Sequence, residues 1–589
     1  MPSRSGAVHV ATIDHTSKGK HYQTHLLRRS YRENGKVLHE TLGNISHLPP
    51  HVIEMIRESL RGKMYVAVGE SLKATQSRPV GDVAAVLGTL RKLGLDSVIS
   101  STGDRRRDLV VAMVVARILA PGSKLATARE LNAEAALTSL GEALSLGTVN
   151  EKELYATLDW LLARQQRIEN KLARRHLSEG SLLLYDVTST YYTGRECPLA
   201  KRGHDRDKKK GFPQIVCGLL CNQEGIPVSV QVFEGNTGDP TTFDAQVQKV
   251  RRRFGLKNIV WVGDRGMITE ARIQDNLKGV EGLDWITALR GPSIKALVEQ
   301  GAIQASLFDE RDLAEVTSAA YPDERLIVCR NPALATERAR KRQELLAATE
   351  KVLQKIVTAT QRARNPLRGQ DKIGVRVGRV LNQYKMAKHF KLTISDESFA
   401  YERDLEKIGR EASLDGLYVI RTSVKTDRLS DEETVGAYKG LSVVERAFRS
   451  MKTIVLKLRP IFLRGSDHVR AHVFLCMLAY YVEWHMRKAL APLMFAEEDE
   501  AAAAALRESI VAPAKRSPKA ERKAKNKRTD AGEPVHSFST LLRNLATIVR
   551  SRMRVAGAGE TASAEFDLDT TLSPYQRRVF ELLQVPPAV

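Results

Sequence analysis

The sequence is poor in cysteine and shows no pairing pattern among the cysteines it has. Five cysteines lie scattered over 589 residues. A low and odd number argues against a disulfide framework and fits a reducing compartment. No second Cys or His pair with zinc-site spacing follows Cys217 and Cys221, so the sequence excludes a zinc knuckle there.

Two kinds of apolar segment are also missing. The first ten residues, MPSRSGAVHV, lack the apolar core of a signal peptide. No uncharged run approaches the length that spans a bilayer. We therefore expect a cytoplasmic protein with no membrane partner.

Acidic residues are few relative to basic ones. The chain has 69 Asp and Glu against 92 Lys and Arg, which gives a formal net charge of +23. Such a surface favours a polyanionic partner, and nucleic acid is the leading candidate. The alternative is a soluble protein from a cell whose proteome is basic. The chain is too long for one ordinary core, so two to four domains are expected.

The first half of the chain changes from a strand pattern to a helical one. Asn34-Gly35 lies between residues that nearly alternate in polarity, which predicts a β-hairpin. From about Gly81 to Leu177 the pattern is helical. RRDLVVAMVVARILAP predicts a buried helix that Pro121-Gly122 ends. The longer amphipathic segment that begins after Asn150 completes a predicted helical bundle.

Five short apolar runs follow from Ser181 onward. They read SLLLYDV, PQIVCGLLC, IPVSVQVFEG, NIVWVGD and LDWITALRG, with helical segments around the fourth run. This order predicts a mixed sheet covered by helices, its first three strands pairing as a meander. Residues from about 300 to 415 interrupt the rhythm with strands around a cationic helix, and we interpret them as an insertion. GLYVIRTS then predicts a further core strand.

The predicted fold class is α/β, and the chain divides into seven parts. These are a β-rich region at 1–78, a helical DNA-binding or bundle domain at 79–178, a catalytic core at 179–300 and 415–495 around an insertion at 301–414, a basic linker at 496–534 and a helical tail at 535–589. The linker carries eight basic residues against Glu521 alone between positions 515 and 528, which predicts disorder until it meets an anion.

Three carboxylates stand where chemistry is expected. Asp186 and Asp264 end apolar strands, the edge at which such sheets place ligands. Separately, a strand-end aspartate is more often a turn or capping residue. Glu445 lies in the helical segment YKGLSVVERAFRSMK, and its spacing of seven from Tyr438 and from Lys452 places the three on one stripe.

Together these carboxylates suit a divalent-cation site. Hard oxygen ligands favour Mg²⁺ or Mn²⁺, and two such ions roughly 3.5–4 Å apart clamp the attacking and leaving oxygens of a phosphodiester. Phosphoryl transfer needs positioning and charge neutralisation more than covalent help. On a basic protein, the pattern predicts a nuclease or a strand-transfer enzyme.

The same residues carry a family resemblance. The order Asp186, Asp264, Glu445 resembles that of bacterial insertion-sequence transposases of the DDE class, in the insertion-sequence-four superfamily. The subgroup signature Y-x2-R-x3-E-x6-K is matched in three of four letters, with Leu441 in place of arginine. The similarity extends from about residue 20 to 490 through NGKVLHETLGNISHLP, ARILAPGSKLATARELN, DVTSTYY, GHDRDKK, FEGNTGDPTTF and RPIFLRGSDHVRAHVFLCMLAYYVE.

This resemblance implies a ribonuclease H-like core interrupted by a β-rich insertion. It implies metal-dependent nicking at terminal inverted repeats of double-stranded DNA, then joining of the 3′ hydroxyl ends to target DNA by a homodimer. The three carboxylates would hold the metal as two ions, while Tyr438 and Lys452 would contact phosphates. Arg446 or Arg449 would replace the missing arginine.

Three further features have two interpretations each. His204 lies in a loop dense with Lys and Arg, which either holds DNA or is merely solvated. The cationic helix at 335–364 allows the same two interpretations. Trp285 is interpreted as a core residue in preference to one that stacks on a flipped base.

Two other functions remain open from the sequence. One is a metal-dependent nuclease of the same fold without strand transfer, and the other is a DNA-binding relative whose active site has decayed. The intact set of three carboxylates counts against the decayed relative. A nuclease would not need the N-terminal helical block and the insertion, which a transposase uses for end recognition and synapsis.

Overall fold

The structure is a computed structural model that divides into two compact units. It describes residues 6–17, 19–33, 35–63, 65, 72–132, 134, 136–207, 209–308, 311–507, 509–555 and 565–588. The first unit comprises Met1–Ser77 and Arg550–Thr570, and the second Arg78–Val549 and Thr571–Val589.

The first unit is built on two antiparallel sheets. Its elements are β1 (Ala7–Ser17), β2 (Lys20–Glu33), β3 (Lys36–Asn44), α1 (Pro50–Leu60), β4 (Leu72–Pro79) and, from the end of the chain, β15 (Val549–Val555) and β16 (Glu565–Asp569). The order is β1-β2-β3 in one sheet and β16-β15-β4 in the other. Strands β2 and β3 pair as the predicted hairpin up to Glu33 and Lys36; Asn34 of the predicted turn lies outside the described residues.

The tail at 535–589 differs from the helical prediction because β15 and β16 form a ribbon within it. Cross-strand ion pairs join Arg550 to Asp569 at 2.7 Å and Arg552 to Asp567 at 3.3 Å. Opposite charges directly across a ladder stabilise it modestly. An alternation of charged with other residues therefore codes for strand here.

The predicted helical block opens the second unit. Its helices are α2 (Gly81–Lys92), α3 (Leu95–Ile99), α4 (Arg105–Leu119), α5 (Lys124–Leu131), α6 (Leu140–Ala143), α7 (Glu151–Leu162) and α8 (Gln165–His176). Asn150 caps α7 by accepting the Glu153 N–H at 2.9 Å. Helix α4 is buried along most of its length, as its apolar sequence predicts.

An eight-stranded mixed sheet forms the centre of this unit. Its strands are β5 (Leu182–Tyr191), β6 (Gln214–Asn222), β7 (Pro227–Glu234), β8 (Ile259–Val262), β9 (Leu283–Ala288), β10 (Leu313–Val316), β11 (Arg325–Arg330) and β14 (Leu417–Thr422). The order is β10-β11-β14-β9-β8-β5-β6-β7. Strands β5, β6 and β7 are an antiparallel meander, while β8 and β9 run parallel to β5. The five predicted strands are thus confirmed, in the order of a ribonuclease H-like core.

Helices cover the sheet. Those within its first part are α9 (Asp239–Gln248), which continues as a π-helical turn (Lys249–Phe254), α10 (Glu270–Asn276) and α11 (Gly291–Glu299). Trp285 is 4% exposed on β9, so its interpretation as a core residue is confirmed.

The insertion is mainly helical, which corrects the β-rich prediction. It holds a 3₁₀ turn (Ala305–Phe308), α12 (Pro332–Thr360), α13 (Gln370–Tyr384), a second 3₁₀ turn (Ala387–His389), the hairpin strands β12 (Phe390–Ile394) and β13 (Phe399–Arg403), and α14 (Leu405–Ala412). Strands β10 and β11 join the central sheet instead. Asn331 caps the 29-residue α12, and Pro332 occupies its first turn.

The remaining helices follow β14. They are α15 (Asp431–Lys439), α16 (Leu441–Arg449), a π-helical turn (Ser450–Ile454), α17 (Ser466–Ala489), a 3₁₀ turn (Ala491–Leu493), α18 (Glu500–Ala505), α19 (Pro518–Asn526), α20 (Phe538–Leu545) and α21 (Pro574–Leu583). Helix α17 is the most buried of these and packs against α4, α7 and β7. It anchors the helical block to the sheet.

The basic linker is not the disordered segment that its charge predicts. Helix α19 lies within it, capped by Ser517. Lys523 is 2% exposed and contacts Glu498 at 2.6 Å, and Lys519 contacts the same carboxylate at 2.9 Å. The acid that offsets these lysines, Glu498, precedes the basic stretch at 515–528 in the sequence.

Among the described residues, no single helix is both long and apolar enough to cross a membrane. Helices α4 and α5, bent by 104° relative to each other, meet that criterion only as a pair, by length and composition.

Candidate active site

Two aspartates occupy matching positions on neighbouring parallel strands. Leu184 of β5 pairs with Val262 of β8, and Asp186 and Asp264 each come two residues later. Asp264 follows the carboxyl end of β8, where open sheets place their ligands, whereas Asp186 lies within β5, which continues to Tyr191. The prediction that both aspartates end strands is therefore confirmed only for Asp264, and it is the register of the two strands that brings the carboxylates together. The strands are apolar and buried up to this point, which fixes the register that aligns the two acids.

The surroundings of the two aspartates differ. Asp186 is half-buried, and its carboxylate accepts the Val187 N–H at 2.7 Å. Asp264 is exposed and accepts the N–H groups of Gly266 at 3.0 Å and Met267 at 2.8 Å. Asp264 thus also forms the turn that a strand-end aspartate often forms.

Glu445 faces these aspartates from α16, which packs against β5. The pKa of Asp186 is raised to about 7, chiefly by burial and also by the negative charges of Asp264 and Glu445, against the opposing effects of the Val187 N–H and Arg206. The three acids are therefore electrostatic neighbours in the folded chain. Glu445 is exposed and, within the described part of the chain, has no ion-pair partner.

The three carboxylates are close neighbours but do not form a ready-made metal site. In the described ranges, no three Asp, Glu, His or Cys side chains are gathered tightly enough to hold a metal ion. Like charges without a cation repel one another and favour protonation of the most buried member. The chemistry of the donors fits Mg²⁺ or Mn²⁺, since hard carboxylate oxygens with no competing cation in contact are what those ions require.

Tyr438 lies with the carboxylates, as the spacing predicts. The pKa of Tyr438 is raised to about 12, chiefly by burial and also by the charges of Asp264, Asp186 and Glu445, while Arg265 opposes them. Its phenol therefore stays protonated at neutral pH and remains a hydrogen-bond donor. Tyr438 also lines a cleft of about 880 Å³ that extends toward the insertion.

The stripe that joins Tyr438, Glu445 and Lys452 is interrupted in the structure. Helix α15 ends at Lys439, α16 begins at Leu441, and a π-helical turn follows from Ser450. A π-turn has a longer repeat than an α-helix, so a spacing of seven no longer brings Lys452 back to the face of Glu445.

Lys452 has a different environment from the one predicted. It is 8% exposed, and its ammonium donates to Thr188 Oγ1 at 2.6 Å, to the Ser189 carbonyl and to Asp207 Oδ1 at 3.1 Å. These three partners use all three of its donors. In this conformation all three donors of Lys452 are engaged within the protein, and its contact with a DNA phosphate stays a prediction.

Arg449, Arg446 and His204 are exposed and remain candidates for DNA contact. The loop of His204 is fixed to β5, because Ser189 Oγ donates to the His204 carbonyl at 2.9 Å. Leu441, at the position of the signature arginine, packs against the hydrophobic core. It therefore offers no polar group there.

Sequence reasoning did not predict the contacts of two charged residues beside the site, Arg206 and Asp207. Arg206 acts on the charge of Asp186 and forms an ion pair with Asp239. Asp207 contacts both Lys452 and Arg459, the latter at 2.5 Å. The alternation of charges in GHDRDKK was the available signal, since an acid amid so many cations needs a partner.

This fold and these acids together define a class of enzyme. A ribonuclease H-like sheet with acidic side chains at matching positions of adjacent parallel strands, faced by a helical glutamate, is an arrangement suited to phosphoryl transfer on nucleic acid.

Comparison with known proteins identifies the family. The transposase DDE domain matches residues 178–482, just over half of the 589 residues. The N-terminal domain of the IS1634 family transposases matches residues 10–70. The chain therefore belongs to the DDE transposase family and is a DNA transposase, an enzyme class that cleaves DNA and transfers strands with the help of metal ions.

The other comparisons add little. Among solved structures, the chain is similar to a piggyBac transposase synaptic complex with hairpin DNA, with 10% identity and a TM-score of 0.32 over 80% of this chain and 82% of that chain. The fold assignment does not rest on this likeness. No curated protein gives a significant match.

Proposed function

We propose that this transposase mobilises an insertion sequence by acting on its terminal inverted repeats. It binds the repeats, nicks the DNA at their boundary by hydrolysis and joins the freed 3′ hydroxyl ends to target DNA. The observation that carries this proposal is the matched position of Asp186 and Asp264 on adjacent parallel strands, with the charge of Glu445 acting on them.

Asp186, Asp264 and Glu445 would hold the metal, as one or two Mg²⁺ or Mn²⁺ ions. When bound, such ions neutralise charge on the scissile phosphate and activate the attacking oxygen. Glu445 is exposed and has no ion-pair partner among the residues that the structure describes, so its side chain is free to adjust toward the aspartates once their repulsion is relieved.

Tyr438 supplies a neutral donor beside these acids. Because its pKa is raised, the phenol donates a hydrogen bond to a phosphate oxygen without adding negative charge. Arg265, which follows Asp264, is exposed and offsets the repulsion between the acids and an approaching DNA strand.

The cleft next to Tyr438 supports DNA binding. Cationic side chains along it come from the sheet side, where Arg265 and Lys295 lie, and from the insertion, where Arg338, Lys341 and Lys388 lie. Because α12 provides one wall of this cleft, DNA contact is favoured over the solvated alternative for its basic face. The insertion would thus share in holding the DNA end near the carboxylates.

Terminal-repeat transposition needs two ends held together, and we infer a homodimer in the synaptic complex with double-stranded DNA. A cytoplasmic location beside the bacterial nucleoid belongs to the same proposal. The described cysteines are all free and buried, which is compatible with it.

The direct test uses purified protein, a duplex carrying the element's terminal inverted repeat, and Mg²⁺. Nicking at the repeat boundary followed by joining to a second duplex is expected, and EDTA should stop both. Nicking without joining would support the nuclease alternative. Failure to cut any duplex in Mg²⁺ or Mn²⁺, despite binding, would support the decayed relative.

A further inference from the structure

A second cavity lies close to the carboxylates and is strongly cationic. Its volume is about 320 Å³, and four of its lining residues, Lys209, Lys452, Lys457 and Arg459, carry positive charge against Asp207 alone. Lys452 shows where this cavity lies relative to the carboxylates. Its ammonium contacts Thr188 and Ser189, the second and third residues after Asp186 on β5.

Only part of this positive charge is compensated. Asp207 is 7% exposed and contacts both Lys452 at 3.1 Å and Arg459 at 2.5 Å. Lys209 and Lys457 are exposed and, within the described residues, have no ion-pair partner. In this cavity Asp207 offsets the charges of Lys452 and Arg459, and the ammonium groups of Lys209 and Lys457 remain available. The cavity therefore suits an anion.

One wall of the cavity is aromatic. The Arg459 guanidinium lies 5.6 Å from the centre of the Tyr191 ring, and the ring of Phe212 lies 5.9 Å from Tyr191 on an inclined plane. Phe212 is 45% exposed. A guanidinium, a half-buried ring and an exposed ring thus follow one another outward from the cationic pocket.

We propose that this pocket binds an unpaired nucleotide of a DNA strand near the cut, an assignment that rests on the proposed function. Its phosphate lies in the cavity against Lys209 and Lys457, and its base stacks on Phe212. Cations that hold the backbone beside aromatic rings that stack on bases are the physical basis of single-strand binding. A base inside an intact duplex is already stacked on its neighbours and has no free face for Phe212, so the pocket favours unpaired DNA.

The position of the pocket gives this binding a use. It adjoins the segment that follows Asp186, so a strand held there leads directly from the carboxylates. An unpaired end produced by cleavage would be retained instead of re-annealing, which keeps the donor site open for the joining step.

The test compares two duplexes in metal-free buffer, one blunt and one with a short single-stranded thymidine extension. Wild-type full-length protein should bind the extended duplex more tightly. Phe212→Ala should remove at least about fivefold of that affinity, because loss of one base–aromatic stack is worth at least that much, and should leave blunt-duplex binding unchanged. A 2-aminopurine placed in the extension should be quenched by wild-type protein and not by Phe212→Ala.

Phe495→Ala is the matched control, since Phe495 is 47% exposed and, unlike Phe212, does not contact the Tyr191 ring that lines the cavity. Lys457→Gln gives a second, independent variant and should lower the salt dependence for the extended duplex by about one phosphate contact. The proposal is overturned if Phe212→Ala and Phe495→Ala behave alike, or if wild-type protein binds the two duplexes equally.

Those results are separable from the proposed function. Repeat-specific nicking with no preference for the extended duplex would remove only the pocket assignment. A preference for the extension that Phe212→Ala abolishes, without any nicking, would remove only the transposition proposal.

Discussion

Glu445 and Lys452 are seven residues apart, yet their surroundings are opposite. The acids around Glu445 repel one another with little positive charge to offset them. Burial and these like charges together raise the pKa of Asp186 to about 7. At Lys452, burial also acts to raise the pKa of Asp207, but Arg459 and Lys452 outweigh it and lower that pKa. The region around Glu445 is therefore electrostatically incomplete. At Lys452 the ion pairs keep Asp207 ionised, although burial lowers the pKa of Lys452 itself, and we call this second region satisfied.

The difference shows which region awaits a ligand. A folded protein normally pairs its buried charges, and a cluster of like charges costs stability unless something else compensates it. The carboxylates therefore point to a cation that binds there. The ion pairs of Asp207 with Lys452 and Arg459 instead build the floor of the neighbouring pocket, and only Lys209 and Lys457 are left there for a phosphate. Two residues of one sequence signature thus have different roles: Glu445 belongs to the proposed metal site, and Lys452 supports the structure beside it.

The largest effect should come from the incomplete region. Asp186→Asn, Asp264→Asn and Glu445→Gln should each lower the nicking rate by about 10³-fold, because loss of a metal ligand removes several kcal/mol of transition-state stabilisation. Nicking of a labelled repeat duplex in Mg²⁺ measures this, with binding followed separately in EDTA.

Repeat binding should persist in all three variants, since no positive charge is lost. Asp275→Asn, which removes an exposed acid on α10, is the control and should cut at the wild-type rate. A triad variant that cuts as fast as Asp275→Asn would show that its carboxylate is not a metal ligand.

The satisfied region should respond in stability instead. Lys452→Met leaves Asp207 buried with one partner fewer, and breaking a buried ion pair typically costs about 3–5 kcal/mol. Urea unfolding, followed by the fluorescence of the second unit, should show this loss of stability. If Lys452 served only to contact phosphate, its replacement would leave the unfolding transition unchanged and weaken DNA binding.

A double-mutant cycle with Asp207→Asn sharpens the comparison. Because the two side chains are in contact, Lys452→Met combined with Asp207→Asn should destabilise by less than the sum of the two single changes. Additive losses would mean that Lys452 and Asp207 do not interact as the structure shows.

Much of the fold was predictable from local patterns. The apolar runs of β5 to β9 are short and bounded by turn residues, and each became a strand of the central sheet. The insertion was misjudged because strands β10 and β11, which flank it, add to the same sheet, a pairing that no local pattern discloses. Helix α12, long and rich in helix formers, dominates what remains.

The site was predictable only in part. Asp264 follows β8 and Asp186 lies within the neighbouring β5, and burial of both strands fixes the register that places them together, so their proximity followed from the pattern although the end of β5 did not. The role of Lys452 did not, because its partners Thr188 and Asp207 come from more than two hundred residues earlier in the chain. The π-turn after Ser450 has no proline or glycine to announce it, and it is this turn that separates Lys452 from the stripe of Glu445.

Titration offers a smaller effect that belongs to the carboxylates alone. The folded pKa of Asp186 is about 7 against an ordinary 3.8. Between these values the unfolded carboxyl is ionised and the folded one is not, so Asp186 contributes a fall in stability as pH rises through that window. Asp186→Asn should remove this part of the fall in apparent Tm, and Mg²⁺ should raise the Tm of wild-type protein above pH 7 but not that of the variant.

Asp275→Asn again serves as the control and should keep both the pH dependence and the Mg²⁺ response. Parallel Tm curves for wild-type protein and Asp186→Asn, with and without Mg²⁺, would mean that Asp186 is neither strained by its neighbours nor relieved by a cation.

The smallest effect tests whether DNA bound at the carboxylates also lies in the cleft formed with the insertion. Arg338 on α12 is exposed, lines that cleft and has no ion-pair partner among the described residues. Arg338→Gln should weaken repeat binding modestly and lower the slope of log affinity against log salt by about one, as expected for one lost phosphate contact. Arg376→Gln, on the exposed side of α13 and outside the cleft, should leave the slope unchanged. Equal slopes for the two variants would mean that the DNA does not lie in this cleft, because charge on the insertion would then act only through the net charge of the chain. Arg265 would then be the outermost cation that acts with the carboxylates on the DNA.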